Sequence, residues 1–250
     1  MSEFLDVLPT RIAGAPEHMA VDFLLLQRYP PERAAVPRFR HYEWRAPACT
    51  FGYSQKIATV REQIASLLSS EHVELCRRPT GGGIVDHRED WTYALVIPRG
   101  HPLEELRAAQ SYRAVHEALA DALGEQGVDA RIKPCEELGD DASAAPAGVC
   151  FQRAEVFDVV HGTSGAKIAG AAQKRNKHGL LMQGSIWRPA VEAGLGPRMF
   201  DWDVFEEEFV ERIARMMGVS AQRTGWPEIN DDEVSALTEQ YASSEWIEHR

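Results

Sequence analysis

Long hydrophobic runs are missing from this sequence. Its longest apolar stretches are short, such as Phe23–Leu26 and Tyr93–Ile97. A membrane-spanning helix needs about 20 consecutive apolar residues, so no membrane partner is expected. The first residues, Met1–Asp6, carry no positive charge ahead of an apolar stretch, so no secretion signal is expected and the cytoplasm is the predicted location.

Positive charge is also scarce, with 27 Lys and Arg against 38 Asp and Glu and a formal net charge of −11. An acidic chain repels a phosphate backbone over long range, so no nucleic-acid partner is expected. The four cysteines (Cys49, Cys76, Cys135 and Cys150) form no Cys-x-x-Cys pair, and the nine histidines show no metal-ligand spacing. The sequence therefore predicts free thiols in a reducing compartment, without a disulfide framework or a metal site.

The 250 residues, 44% of them hydrophobic, are enough for a substantial core. Helical periodicity predicts helices over 17–29, 59–69, 102–123 and 205–216, and one that starts near 230. Strand patterns are found at 38–44, 50–53, 73–77, 91–97, 128–132, 156–160, 166–169 and 180–187. Several neighbouring strands are joined as hairpins, which favours an α+β fold with a mixed sheet over a doubly wound parallel sheet. The sequence has no clear linker, so we expect a single domain over 1–250, with a long surface loop at 133–149.

A glycine-rich segment, Arg77–His87, is the first candidate for chemistry. Three consecutive glycines, Gly81–Gly83, let a backbone approach a ligand closely and aim several N–H groups at one point. Such a bend suits an anion, an acyl carbonyl or a phosphate, and Arg77 and Arg78 add positive charge beside it. The segment is neither a Walker A loop nor a dinucleotide fingerprint. A tight turn with no ligand role is the alternative.

A lysine and a cysteine are the other candidates. Lys167 lies among small apolar residues in a strand-like setting, and a buried lysine is costly unless it is paired or used. It is suited to hold a carbonyl or phosphate oxygen or to lower the pKa of a neighbouring thiol; an exposed hairpin lysine is the alternative. Cys150 lies at the end of the long loop, ahead of the hairpin that carries Lys167. A thiolate beside a cation is an activated nucleophile for acyl transfer, whereas a small buried hydrophobic residue is the plainer interpretation, and the one we expect for Cys76.

Together these segments resemble the biotin/lipoate A/B protein ligase family, in its lipoate–protein ligase A and cysteine octanoyltransferase branch. Arg77–His87 resembles the family segment Arg-Arg-x-Ser/Thr-Gly-Gly-Gly/Arg-x-Val-x-His. Lys167–Gln173 followed by Leu180–Ile186 resembles Lys-x-x-Gly-Ser-Ala-Gln and Leu-x-x-Gly-Ser, and Glu17–Asp22 and Phe51–Gln55 also fit. The resemblance implies a class II synthetase-like catalytic domain, with a mixed, largely antiparallel sheet flanked by helices and no separate C-terminal accessory domain.

Cysteine octanoyltransferases of this family have Cys-Phe where the ligases have Asn-Asp, and Cys150–Phe151 resembles the transferases. The resemblance then implies that Cys150 is the thioester nucleophile and that Lys167 lowers its pKa and polarises the acyl carbonyl. It implies no cofactor, an acyl carrier protein as donor, and a lysine of a lipoyl domain or of a glycine-cleavage H-type protein as acceptor. The substrate-binding residues that the resemblance implies are Arg78, Thr80, Gly81, Gly82, Gly83, Ile84, Val85, Asp86, His87 and Gln173.

Two alternatives stay open. The first is an ATP- and Mg²⁺-dependent lipoate ligase that forms lipoyl-adenylate and uses a separate accessory protein; Gly83, in place of the arginine of many transferases, favours it. The second is a catalytically silent acyl-binding protein. Ala171 stands where the family has serine, which removes a hydroxyl in every case. A basic rim is expected to dock the partner proteins. Its predicted members are Arg77, Arg78, Lys174, Arg175 and Lys177.

Overall fold

The computed structural model describes most of the chain. The described residues are 3–29, 35–67, 73–135, 153–193, 195 and 199–249. Cys150 and the part of the predicted loop from residue 136 onward lie outside them.

Strands and helices alternate irregularly along the chain. The twelve strands of the described residues are β1 (Phe4–Val7), β2 (Arg11–Ala13), β3 (Arg38–Trp44), β4 (Ala48–Phe51), β5 (Glu74–Arg77), β6 (Ile84–Asp86), β7 (Asp90–Pro98), β8 (Ala130–Ile132), β9 (Val159–His161), β10 (Lys167–Asn176), β11 (Gly179–Trp187) and β12 (Ser220–Arg223). The helices of the same residues are α1 (Ala15–Gln27), α2 (Ile57–Leu67), α3 (Pro102–Glu105), α4 (Ala108–Glu125), α5 (Arg188–Glu192), α6 (Trp202–Met217), α7 (Asp231–Ala242) and α8 (Ser244–Ile247).

Nine of these strands form one mixed sheet in the order β12-β1-β3-β7-β11-β10-β9-β8, with β2 beside β3. The pairings from β3 through to β8 are antiparallel, and those of β1 with β3 and β12 and of β2 with β3 are parallel. A second sheet of three strands has the order β5-β4-β6. The expected α+β class with a mixed, largely antiparallel sheet is confirmed.

The central strand β7 is buried along its whole length, because helices cover both faces of the large sheet. Tyr93, Leu95 and Ile97 face a core that contains the apolar sides of α4 and α6. Ala94 and Val96, which alternate with them, pack with residues of α1 on the other face. This period of two, with both sets apolar, is the pattern of a strand that is covered on both sides.

The helix predicted over 102–123 is two helices, because the backbone becomes extended at Leu106 and Arg107. Arg107 is the N-cap of α4, and its N–H donates to the Gln110 side chain. The helix predicted near 230 is confirmed: the Asn230 side chain accepts from the backbone N–H groups of Asp232 and Glu233 at the start of α7.

Candidate active site

A cavity of about 450 Å³ lies where the small sheet meets the large one. Segments from both sheets, α1, α4 and the segment 155–158 surround it. Its walls are largely apolar and include Met19, Trp44, Val85, Ala109 and Ala172. A concave, mostly apolar space with a few polar groups is the usual form of a small-molecule site.

Lys167 supplies the ammonium group of this cavity and is 8% exposed. The register of β10 against β9 shifts between Lys167 and Ala169, so the regular pairing is interrupted at the start of β10. The chain of Lys167 lies over Gly170, where an added Cβ would come within 2.8 Å of Nζ. Gly170 therefore leaves the space that the lysine occupies.

The carboxylate of Asp158 holds the Lys167 ammonium, with 2.7 Å between Nζ and Oδ2. Asp158 is 1% exposed, so both charges of this pair are buried. The Tyr112 hydroxyl donates to Oδ1, and the backbone N–H of Glu155 donates to Oδ2 at 2.7 Å. Phe157, just before the carboxylate, has a φ of 67°, a left-handed conformation that is uncommon for a bulky residue.

The glycine bend is held from below by Arg78, which is 4% exposed. Its Nη2 donates to the carbonyls of Gly81 and Gly83, at 2.9 Å each. Gly82 has a φ of 88°, which a side chain would strain, and a Cβ there would lie 3.2 Å from Arg78 Nη2. Arg78 therefore has two roles: its guanidinium fixes the backbone of the glycine bend, and its side chain also lines the cavity.

A chain of hydrogen bonds continues from Arg78 through other residues that line the cavity, beginning with Thr50 and His87. Arg78 Nη1 donates to Thr50 Oγ1 at 2.8 Å, and the Thr50 hydroxyl lies 2.7 Å from His87 Nε2. His87 Nδ1 lies 2.7 Å from the Asp90 carboxylate, which Thr92 and Ser185 also contact. Burial raises the pKa of Asp90, but the His87 ring and these hydrogen bonds outweigh burial and hold the pKa below its ordinary value. The Asp90 carboxylate can only accept, so the Nδ1–H of His87 donates to it.

A second buried chain runs from the glycine segment to α1. The Thr80 hydroxyl donates to Gln183 Oε1 at 2.7 Å, and Gln183 Nε2 donates to Asp22 Oδ2 at 2.7 Å. Arg40 neutralises Asp22, with 2.6 Å between Nη2 and Oδ1, and both side chains are at most 1% exposed. Burial and the Arg40 charge lower the pKa of the adjacent His18 to about 2, so that ring is neutral. These groups connect the start of the bend to the core.

Arg77 is wholly buried and faces away from the cavity. Its guanidinium donates to the carbonyls of Tyr53 and Gln55 at 2.7 and 2.8 Å, and to those of Trp246 and Ile247 at 3.1 and 2.7 Å. It joins the loop after β4 to the α8 segment. The expected role of Arg77 in a basic docking rim is therefore wrong, since its charge is satisfied inside the protein; Arg78 is buried as well. Lys177 is exposed, and Lys174 and Arg175 are half-buried.

The structure brings seven of the predicted site residues to the cavity and leaves four outside its lining. The seven are Arg78, Gly82, Gly83, Val85, His87, Lys167 and Gln173. Thr80 acts on Gln183 from behind the bend, and Gly81 has nothing within 4 Å of the position of a Cβ. Ile84 packs in a small core with Phe51, and Asp86 pairs with Arg88. The twelfth, Cys150, lies outside the described residues, so its distance from Lys167 stays a prediction.

Sequence reasoning assigned no role to several polar residues around the cavity. Gln183 and Ser185 lie in the quoted family segment Leu180–Ile186 and Asp22 lies in Glu17–Asp22, whereas Asp158 lies only in the strand pattern at 156–160, so none of their contacts could be predicted. Thr50, Asp90 and Tyr112 had no signal, because only the tertiary fold brings them to the site. Burial raises the pKa of Cys76, which is fully buried as predicted.

Comparison with known proteins identifies the family. The model of the lipoyl protein ligase A/B catalytic domain matches residues 15–188, which contain every predicted site residue. The chain belongs to this family. Octanoyltransferase LipM of Bacillus cereus is 30% identical over 207 residues, which are 82% of this chain and 71% of that protein. LipM of Kyrpidia tusciae is 33% identical over 182 residues, covering 72% of this chain and 64% of its own.

Solved structures of lipoate ligases show the same fold. Protein Ta0514 of T. acidophilum with bound lipoic acid has a TM-score of 0.70 at 18% identity, and each chain is covered completely. A lipoate-protein ligase A bound with ATP has a TM-score of 0.69 at 18% identity, with 99% of each chain covered. The expected lipoate ligase catalytic fold is confirmed.

Two further observations concern metal-binding side chains and membrane-spanning helices. Within the described ranges, no three His, Cys, Asp or Glu side chains are grouped so that they could hold a metal ion. None of the described helices combines the length and apolar character needed to cross a bilayer.

Proposed function

We propose that this protein is an octanoyl-protein acyltransferase of protein lipoylation, which transfers an octanoyl group through a thioester on Cys150 to a lysine of a lipoyl domain. The observation that carries the proposal is the apolar cavity with one buried ammonium, Lys167, at its surface. The similarity to the LipM octanoyltransferases supports the choice of transfer.

The cavity suits a medium-length acyl chain. Burying each methylene contributes about 0.8 kcal/mol, so the seven carbons beyond the carbonyl contribute about 6 kcal/mol. Apolar side chains such as Val85 and Ala172 supply the contacts. Lys167 and the N–H groups of the glycine bend are then left to recognise the acyl carbonyl, which is the polar end of the chain.

In the first step, the Cys150 thiolate attacks the thioester carbonyl of the donor, for which we propose an octanoyl acyl carrier protein. A bond forms between the Cys150 sulfur and the acyl carbon, the donor's thioester bond breaks, and the donor leaves as a thiolate that takes up the proton given up by the Cys150 thiol. The Lys167 ammonium stabilises the negative charge on the sulfur and on the carbonyl oxygen. No cofactor is required for this exchange of one thioester for another.

In the second step, the amine of the acceptor lysine attacks the acyl-enzyme. The carbon–nitrogen bond forms, the bond to the Cys150 sulfur breaks, and a proton from the amine returns to that sulfur. Dividing amide formation into two steps lowers each barrier. A lipoyl domain is the proposed acceptor, and a glycine-cleavage H-type protein presents the same kind of lysine.

Intact mass spectrometry after incubation with octanoyl acyl carrier protein tests the proposal. The wild type is expected to gain the mass of one octanoyl group, located on Cys150 by peptide mapping, and Cys150→Ser is expected to lose both the adduct and the transfer to a lipoyl domain. Cys135→Ser is the matched control, because Cys135 is an exposed cysteine away from the cavity lining. The absence of an adduct, combined with ATP-dependent lipoylation by Cys150→Ser, contradicts the proposal.

An ATP-dependent lipoate ligase is the second candidate, favoured by Gly83, which adds no side chain to the cavity beside Arg78. Lipoate-dependent exchange of pyrophosphate into ATP separates the two functions. The transferase predicts no exchange with the chain alone or with accessory proteins added.

A further inference from the structure

We propose that Asp158 is the positioning residue for Lys167 and that Tyr112 in turn fixes Asp158. This inference rests on the proposed function, in which Lys167 acts on the acyl group. The three side chains come from different elements: Tyr112 from α4, Asp158 from the segment before β9, and Lys167 from the first position of β10. We call these three residues the lysine clamp.

Lys167 and Asp158 form a buried ion pair. Lys167 and Asp158 have side chains that are 6% and 1% exposed, and the two oppositely charged groups are 2.7 Å apart. Among the described residues, Asp158 is the carboxylate within ion-pair distance of Lys167. A buried ammonium without a counter-ion is strongly unfavourable, so Asp158 is what allows a charged lysine to remain at this cavity.

Hydrogen bonds fix the orientation of the Asp158 carboxylate. The two oxygens of Asp158 are both engaged: Oδ1 accepts from the Tyr112 hydroxyl, and Oδ2 accepts from the Glu155 N–H and from Lys167. A carboxylate bonded on both oxygens has no free rotation about its last torsion. The position of Oδ2 therefore fixes the position of Nζ, and the space over Gly170 allows no bulkier neighbour.

Tyr112 has a double role. Its oxygen accepts the Ala171 N–H at 3.0 Å while its hydroxyl proton is donated to Asp158. Ala171 is on β10, four residues after Lys167. Tyr112 therefore ties α4 to the strand that carries the lysine, and the clamp forms only when helix and strand are packed together.

The chemical consequence is that the cavity receives a fixed ammonium. A fixed cation stabilises charge that develops on sulfur or oxygen without reorganising during the reaction. Displacing a catalytic group by about 1 Å costs roughly 10²-fold in rate. Loss of the clamp is expected to lower the rate of acyl transfer more than the binding of the donor.

Steady-state kinetics of octanoyl transfer test the clamp. Asp158→Asn is expected to lower kcat by about 10²-fold with KM for the octanoyl donor within about threefold, as misplacement predicts. Tyr112→Phe leaves the ion pair in place and is expected to lower kcat by about tenfold, which keeps the test valid if Asp158→Asn folds poorly. Asp121→Asn, an exposed carboxylate on α4, is the matched control with wild-type kinetics.

A double-mutant cycle shows whether Asp158 acts through the lysine. Adding Asp158→Asn to Lys167→Met is expected to cause no further loss of rate, because the group that Asp158 positions is already gone. Losses that multiply overturn the proposal, as does a Tyr112→Phe variant with wild-type kcat.

Competitive labelling with acetic anhydride gives a readout that is independent of octanoyl transfer. Peptide mass spectrometry reports the labelling rate of Lys167 relative to two exposed references, Lys56 and Lys177. Asp158→Asn is expected to raise the relative labelling of Lys167 by about tenfold, since the amine then loses the carboxylate that holds it at 2.7 Å. An unchanged rate overturns the clamp even if transfer is intact. If the wild type transfers no octanoyl group but Asp158→Asn still raises the labelling of Lys167, the proposed function is refuted and the clamp is not.

Discussion

Gly52→Ala is the substitution whose effect follows most directly from the structure. Gly52 follows β4 and packs against the glycine bend, so that an added Cβ would lie 2.0 Å from the carbonyl oxygen of Gly82 and 2.7 Å from the carbonyl carbon of Gly81. Both obstacles are backbone atoms, which cannot rotate aside as a side chain can. The two segments are also joined by the Tyr53 N–H, which donates to the Thr80 carbonyl at 2.8 Å.

The size of the effect can be worked out from these distances. Ordinary Cβ contacts begin near 3.4 Å, so the bend must move by more than about 1 Å. Overpacking of this kind costs about 1–3 kcal/mol of unfolding free energy, and a displacement of about 1 Å in a catalytic site costs roughly 10²-fold in rate. We therefore expect a folded Gly52→Ala protein with a modestly lower urea midpoint and a much lower kcat for octanoyl transfer.

Urea denaturation and steady-state transfer kinetics, measured on the same preparation, check this expectation. Gly225→Ala is the control, because its Cβ would meet nothing within 4 Å. A Gly52→Ala protein with wild-type kcat would show that the bend does not contribute to the reaction at the position assigned to it.

Two predictions concern buried charge. Arg77→Lys is expected to lower the unfolding free energy in urea by about 2–3 kcal/mol, because one ammonium cannot replace a guanidinium bonded to four carbonyls. Its control is Arg61→Lys, at the exposed pair with Glu248, which is expected to change the unfolding free energy by less than about 0.5 kcal/mol. Burial lowers the pKa of His18 to about 2 and that of His116 to about 4, from 6.5 in the unfolded chain, so both rings take up protons on unfolding. These two rings therefore cost no unfolding free energy above pH 6.5. As the pH drops from 6.5 towards 4, each ring lowers the unfolding free energy by about 1.4 kcal/mol per pH unit. Urea midpoints measured from pH 7.5 to pH 5 check this slope, and His116→Asn, which retains a donor towards the Phe157 carbonyl, is expected to lower it by about 1.4 kcal/mol per pH unit.

Clear outcomes contradict these two predictions. Equal losses of stability for Arg77→Lys and Arg61→Lys would mean that the four carbonyls are satisfied without the guanidinium. A pH slope that His116→Asn does not change would mean that another group carries the proton uptake.

Helices and strands with a repeating apolar pattern could be predicted from the sequence. The run at Tyr93–Ile97 is apolar on both faces and became the central strand, and the capping residues of α7 were visible as Asn230 and Glu233. The extension of β10 from 169 to Asn176 was missed, because Gln173, Lys174 and Arg175 are polar and are held by neighbouring elements. The division at Arg107 was missed because it depends on one local side-chain bond.

The site was predictable as a set of segments but not as a set of contacts. The glycine bend and Lys167 were recognisable because their residue types are expensive unless they are used. The direction of Arg77, by contrast, depends on carbonyls about 170 residues later in the chain, and the partner of Lys167 depends on where α4 packs. Such long-range pairings leave no local pattern, so adjacent arginines with opposite orientations look alike in the sequence.

The long reach of Arg77 has a consequence for synthesis on the ribosome. Arg77 is translated 169 and 170 residues before Trp246 and Ile247, whose carbonyls it binds. A nascent chain therefore holds an arginine with two of its four acceptors absent. The arrangement around the loop after β4 is therefore completed only once α8 has been synthesised and has packed against it.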